Sequence, residues 1–277
     1  MNTMNNKIQT LKKMAKQMRL NALDMALVAG DKGSHIGGSL SCIEIFAVLY
    51  GAILNYQVDN PYWAERDRFI ASKNHCTLAQ LPVLAEAGFI KKSELLEFTN
   101  DGSRLVGYPK NIAIGLEYSG GSLGMAISVG VGMALAAREQ KRATQVYILM
   151  GDGELNEGSI WEAFMSAAQY KLTNLNVIID RNHLAYDGDT EEVMGLESLS
   201  DKMKAFNWQV SCCDGHDVED LLRAFEEKNN EAPHIIIADT IKGKGVSFIE
   251  NRREWHHSKL SKEQYDLARE EVLKGGE

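Results

Sequence analysis

The sequence predicts an α/β fold, a doubly wound, mainly parallel sheet with helices on both faces. Strand-like segments alternate with helical ones along most of the chain. The segments VYILM, NVIID and HIIIAD are near-continuous apolar runs, as strands covered on both sides must be. No internal repeat, low-complexity tract or Pro-rich linker interrupts the pattern, so one domain over residues 1–277 is expected.

The elements follow in order. Residues 4–29 read as a helix because Ile8, Leu11, Ala15, Met18 and Ala22 recur at helical spacing. This segment is basic and has no acidic residue before Asp24, a composition shared with transit peptides. It runs without a linker into DMALVAGDKGSH, which favours a plain surface helix. GDKGSHIGGSLS breaks it, and a helix over about 41–53 follows. DRFIASKNH reads as a short strand running into a loop. Residues 76–88 and 93–98 read as helical, and NDGSRLVGYPKN as a loop. LGMAISVGVGMALAARE is a helix rich in Gly, Ala and Ser, residues that let another backbone approach closely. VYILM is a buried strand. SIWEAFMSAAQYK has apolar residues at i, i+1, i+4 and i+5 and is read as a helix. NVIID, WQVSCC and HIIIAD are further strands, with VEDLLRAFEEKN a helix between the last two. SKEQ at 261–264 matches a capping box and starts a final helix.

Composition narrows the function. With 44% hydrophobic and 25% charged residues the chain is an ordinary globular one. A net charge of −8 argues against bulk neutralisation of nucleic-acid phosphates. Cys42, Cys76, Cys212 and Cys213 show no metal-ligand or CxxC spacing. They are read as buried free thiols of a reducing, cytoplasmic protein. No apolar stretch reaches transmembrane length.

Two strands end in oxygen-bearing side chains. VYILM runs into Gly151-Asp152-Gly153, and NVIID is followed by Asn182. In open α/β sheets ligands bind beyond the carboxyl ends of strands. If these strands are neighbours, Asp152 and Asn182 converge. A carboxylate plus an amide oxygen suits a hard cation such as Mg²⁺, shared with phosphate oxygens. Gly151 and Gly153 let backbone N–H groups approach those phosphates. Gly-Asp-Gly alone is a common turn, and Asp180 or Asn182 alone can cap a helix.

The full set is more specific. Gly-Asp-Gly after a strand, then about 30 residues to an Asn after the next strand, resembles the thiamine-diphosphate fingerprint. GSHIGGSL, DRFIASKNHCTLAQLPVL, GLEYSGGSLGMAISVGVGMALA, CDGHD, TIKGKGVSF and EWHH together resemble the transketolase family over roughly residues 10–260. That resemblance implies the thiamine-diphosphate-binding fold, in its diphosphate-binding domain. It implies thiamine diphosphate as cofactor, with Mg²⁺ or Ca²⁺ held by Asp152, Asn182 and the carbonyl of Leu184. Gly121, Ser122, Leu123, Gly151, Gly153 and Glu154 match positions bordering the cofactor. His35, His75 and His256 match histidines around the diphosphate and the reacting carbon, where a side chain titrating near neutrality can exchange protons with sugar hydroxyls. Glu157, a catalytic candidate, and Glu162 match acidic positions near the subunit contact. Glu157 also suits a helix N-terminus by charge alone. His183 and His216 are read as structural or exposed.

Three positions depart from the family pattern. Tyr108 stands where a histidine holding substrate hydroxyls is expected, and a tyrosine cannot become cationic near neutral pH. Asn74 and His257 stand where Gly is usual. Tyr108 and His257 fall where substrate is read, so a non-standard sugar is expected. The activating Glu of the family resides in a pyrimidine-binding domain for which no sequence is present after EWHH and one helix. The expected partner is therefore a separate C-terminal subunit, two pairs forming a heterotetramer. The implied reaction is transfer of a two-carbon ketol unit from a ketose to an aldose. Two alternatives remain: the α subunit of a 2-oxoacid dehydrogenase or decarboxylase, and a non-catalytic transketolase-like subunit.

Overall fold

The computed structural model describes residues 2–109, 111–228 and 230–275; Lys110 of the expected loop and Asn229 of an expected helix lie outside them. The five expected strands are present: β1 (Arg68–Ala71), β2 (Val146–Gly151), β3 (Leu175–Arg181), β4 (Gln209–Asp214) and β5 (His234–Asp239). They form one sheet in the order β1-β2-β3-β5-β4, and every adjacent pair is parallel.

Side chains alternate across the pleat, so an apolar strand feeds two cores. Phe69, Tyr147, Leu149, Ile178 and Ile236 enter one. Ile148, Met150, Val177, Ile179 and Ile235 enter the other. The first core is covered by α1 (Asn2–Ala29), α2 (Gly37–Leu40), α3 (Ile43–Val48) and α4 (Thr77–Glu86). The second is covered by α5 (Ala126–Glu139) and α6 (Gly158–Gln169). After β3 come α7 (Thr190–Met194) and α8 (Leu199–Ala205), which adds Leu199 and Met203 to the second core. Helices α9 (Val218–Glu226) and α10 (Lys262–Lys274) return to the first. The apolar face expected of α1 is buried: Ile8, Leu11, Ala15, Met18 and Ala22 all lie in the core. Among the described residues no helix is long and apolar enough to cross a membrane.

Local chemistry explains where the elements differ from expectation. The helix expected over 41–53 is instead α2, a break at Cys42, α3 and a π-helical turn over Leu49–Ile53. Gly37, the first residue of α2, sits against another segment: a Cβ there would lie 2.8 Å from the Trp255 carbonyl oxygen. Residues Lys92–Glu97 form a 3₁₀ turn. Helices α7 and α8 carry too few apolar residues for a periodic signal. Their starts are fixed by side-chain caps, Asp189 accepting from Glu191 N–H and Ser198 from Asp201 N–H. The capping box of α10 forms as expected, with Ser261 and Gln264 bonded in both directions.

The topology places a site. The chain leaving β1 enters α4 on the first face, whereas the chain leaving β2 enters α6 on the second. The chain leaving β3 likewise runs to the second face and that leaving β5 to the first. The connections part between β1 and β2 and again between β3 and β5, opening crevices at the carboxyl ends.

Candidate active site

A cavity of about 350 Å³ occupies the carboxyl ends of β1, β2, β3 and β5. Its inner wall begins with Asp152 and Asn182, on adjacent strands as expected, because Gly151 pairs with Asp180 in register. Asp152 is 2% exposed and accepts from Gly153 N–H at 2.8 Å, His183 N–H at 2.6 Å and Arg181 Nη1 at 3.2 Å. Burial, then the nearby Asp180 charge, pushes its pKa up. Asn182 Oδ1 accepts from Leu184 N–H at 3.2 Å, and Leu184 also lines the cavity.

Asp180 lies beneath this wall and is fully buried. It accepts from Ser41 Oγ at 2.6 Å and Asn182 Nδ2 at 3.2 Å, and is bonded by Lys73 and Thr240. Burial opposes its ionisation, but the Lys73 charge and these hydrogen bonds outweigh it, and its pKa is lowered. Asp180 therefore ties β1, α2, β3 and β5 together under the cavity and anchors the Asn182 amide. Glu154 does the same one strand over. It accepts from Ser72, from Gly124 N–H at 2.9 Å and from Gly151 N–H at 3.3 Å. That holds the glycine loop 120–124 against β2. Gly124 has φ +81°, and a Cβ there would lie 2.7 Å from Glu157 Cβ, so the loop needs glycine. Gly121 and Leu123 line the cavity; Ser122 is exposed and stands off its wall.

The outer part is a cluster of rings. His35 lies 5.4 Å from both His75 and His256 between ring centroids, and those two are 5.2 Å apart. His257 packs edge-on against His35 at 4.5 Å, and Tyr108 lies 6.4 Å from it. Tyr186, which sequence reasoning missed, packs at 5.2 Å on His256. Burial, with His257 and Lys242 nearby, pushes His35 down to about 4. Burial and Lys242 push His256 down to about 3. Burial and Lys73 push His75 well below the usual imidazole value. All three are neutral at neutral pH, each offering one N–H donor and one nitrogen acceptor.

Two buried lysines, also missed, supply positive charge. Lys73 bonds Asp180, and Lys242 Nζ reaches the Leu184 carbonyl at 2.8 Å and His256 Nδ1 at 3.1 Å. Burial, then repulsion from Lys73, lowers Lys242 to about 8. The usable signal was position: each lysine follows a buried strand directly, in SKNH and in TIKGKG. Arg181 was overlooked between two residues already singled out. Glu157 and Glu162 are exposed and are not among the residues lining the cavity. His183 pairs with Asp239 at 2.8 Å and His216 with Glu44 at 3.1 Å, both outside the site. Cys42, Cys76 and Cys213 are buried free thiols and Cys212 is exposed.

The donor set fits a diphosphate bridged by a divalent cation. Among the described residues no three His, Cys, Asp or Glu side chains converge as a metal cage. One carboxylate, one amide oxygen and one carbonyl face the cavity instead, a hard-oxygen set that leaves room for phosphate oxygens. The Lys242 ammonium stands in for such a cation on the Leu184 carbonyl. Gly151 also lines the cavity, with the Lys73 side chain packed beside it.

Comparison with known proteins agrees with this geometry. The family described as "Transketolase, thiamine diphosphate binding domain" matches residues 10–273. The chain is 43% identical to one subunit of an apulose-4-phosphate transketolase from Phocaeicola vulgatus, covering 96% of this chain and 94% of that one. It is 38% identical to a 6-deoxy-6-sulfo-D-fructose transketolase subunit from a Clostridium species, over 87% and 89%. It is 35% identical to human transketolase, over 96% of this chain but 42% of the longer one. The transketolase structure from Campylobacter jejuni superposes with a TM-score of 0.89 at 29% identity, covering 96% of this chain and 43% of that chain. The chain belongs to the transketolase family and corresponds to its thiamine-diphosphate-binding domain.

Proposed function

We propose that this chain is the diphosphate-binding subunit of a two-chain transketolase, forming a single domain over its length. The observation that carries the reading is the convergence of Asp152, Asn182 and the Leu184 carbonyl beside three neutral histidines in one cavity. Asp152, Asn182 and Leu184 would hold Mg²⁺, or Ca²⁺, and through it the diphosphate, with Gly153, Gly121 and Leu123 against the cofactor. When bound, thiamine diphosphate supplies an electron sink for carbon–carbon cleavage. The protein's own groups bind and orient. Lys73 and Lys242 make the cavity attractive to phosphate. His35, His75 and His256 donate to and accept from sugar hydroxyls, and move protons as a ketol unit passes from ketose to aldose.

The relatives named as transketolase subunits match this chain over nearly their whole lengths, which supports a separate partner. That partner brings the pyrimidine-binding domain and its activating Glu. Exposed Glu157 and Glu162 belong at the contact, in a heterotetramer of two pairs working in the cytoplasm. Relatives named for apulose 4-phosphate and 6-deoxy-6-sulfo-D-fructose support a ketose outside the usual pentose-phosphate pair. Tyr108, His257, His35 and His256 are the residues placed to read it. The test is to mix the chain with its companion, thiamine diphosphate and Mg²⁺, and screen ketose donors. Ketol transfer in the mixture and none in either chain alone is expected. Turnover of 2-oxoacids instead, or none with any ketose, would overturn the reading.

A further inference from the structure

The two oxygens of Asp152 are not equivalent. Oδ2 accepts from the His183 N–H at 2.6 Å and from Arg181 Nη1 at 3.2 Å. Among the described residues the one donor to Oδ1 is Gly153 N–H, at 2.8 Å. One oxygen is committed to the protein and the other keeps a lone pair toward the cavity.

Arg181 cannot easily release its oxygen. It is 3% exposed. Nη1 also donates to Thr190 Oγ1 at 2.6 Å, and Nη2 donates to Glu191 and to Glu197, each at 2.8 Å. The guanidinium is planar and its fork is fixed from the α7 side by three partners. Nη1 also reaches the Asp152 carboxylate, while Nε is buried without a partner among the described residues. The same contacts tie α7, whose Val193 lines the cavity, to the expected metal ligand.

We propose that Arg181 is a positioning residue that holds Asp152 as a one-oxygen ligand and thereby favours Mg²⁺ over Ca²⁺. This rests on the metal-bridged diphosphate reading above. Mg²⁺ demands octahedral geometry at about 2.0–2.1 Å, whereas Ca²⁺ takes six to eight oxygens at about 2.3–2.6 Å and accepts both oxygens of one carboxylate. A carboxylate pinned by one oxygen suits the smaller ion. One free to turn offers the larger ion a second bond. Removing the Arg181 charge strengthens attraction for either cation, so absolute affinity is ambiguous and the ratio between metals is the informative quantity.

The experiment titrates Mg²⁺ and Ca²⁺ separately against thiamine diphosphate binding, by calorimetry, on the full chain with its companion. Arg181→Gln is compared with wild type and with Arg181→Lys. The expected result is a shift of the half-saturating concentration ratio toward Ca²⁺ by about tenfold in Arg181→Gln, partly restored in Arg181→Lys. Glu191→Gln/Glu197→Gln loosens α7 but leaves the Asp152 contact, and its ratio stays near wild type. A lower melting temperature in Arg181→Gln with an unchanged ratio would overturn the inference and leave a structural role. A holo crystal structure tests it without any variant. One Asp152 oxygen on the metal and Arg181 still on the other supports it; two oxygens on Mg²⁺, or Arg181 swung away, sinks it. If wild type shows no metal-dependent binding, the function reading fails first.

Discussion

The inner and outer ends of the cavity are built differently. At the inner end the carboxylates are tied to the fold: Asp152 by three donors, Asp180 by four, Glu154 by three. These residues are 0–2% exposed. At the mouth Tyr108 is 44% exposed, His257 is exposed, and both meet the site mainly through ring packing on His35. A network satisfied on all sides fixes geometry to a fraction of an ångström, which cation and phosphate binding require. Loosely held rings at a rim can change without disturbing that base. Two of the three departures from the family pattern, Tyr108 and His257, lie at the mouth, whereas Asn74 is buried beside Lys73. The proposed function assigns cofactor binding to the rigid part and substrate choice to the adjustable part.

That division is most directly broken at its base. Asp152→Ala removes the expected metal ligand and the acceptor for Arg181 and His183. Metal-dependent thiamine diphosphate binding should be lost, by at least ~100-fold in affinity, as read by calorimetry. Unchanged affinity would remove the inner end from the cofactor altogether. Next in size is His256→Ala. It should lower kcat by about 10²–10⁴-fold while leaving cofactor affinity within a few-fold. A large loss of affinity instead would move His256 from the middle of the cavity to the base.

How much of this was legible beforehand follows the same line. The strands were readable because buried parallel strands are uniform apolar runs, and their ends located Asp152 and Asn182. Helices α7 and α8 were not readable, because each is short and starts on a side-chain cap; α7 is held by Arg181, and α8 buries only Leu199 and Met203. The pairing of Lys73, Asp180, Arg181 and Lys242 into one network was not readable for a different reason, although position after a buried strand marks each lysine. Their meaning is pairwise and long-range: Lys73 meets Asp180 across 107 positions and Lys242 meets Leu184 across 58. Sequence spacing carries no trace of such a pair. Glu157, which motif matching placed near a subunit contact, is exposed and does not line the cavity of this single chain.

The mouth is tested by restoring what the family pattern has there. His257→Gly removes the ring packed on His35, and Tyr108→His returns an imidazole. Each should change kcat/KM for ketose donors by roughly 10-fold relative to hydroxypyruvate. Hydroxypyruvate ends near its reacting carbons and does not reach the rim, so its own kcat/KM and the cofactor affinity should hold. An equal change for both donors would mean the rim shapes the base and would erase the comparison.

The smallest expected effect locates the border between the two ends. His35, His75 and His256 have native pKa values below the unfolded value of about 6.5. Between about 6.5 and their lowered values, near 4 for His35 and 3 for His256, the unfolded chain binds more protons than the native one. Stability therefore falls as the pH drops through that window. Buried Asp152 and Glu154, whose pKa values are raised, oppose this at the acidic end. The melting temperature should fall by a few degrees between neutral pH and mildly acidic pH, and His35→Gln should flatten the slope. Magnesium thiamine diphosphate adds the decisive comparison. A diphosphate beside a histidine favours its charged form and raises its pKa toward the unfolded value. Bound cofactor should therefore flatten the slope in His35→Gln further if His75 and His256 face the diphosphate. An unchanged slope would place His75 and His256 on the substrate side, and the inner end would stop at Asp152, Asn182 and the two lysines.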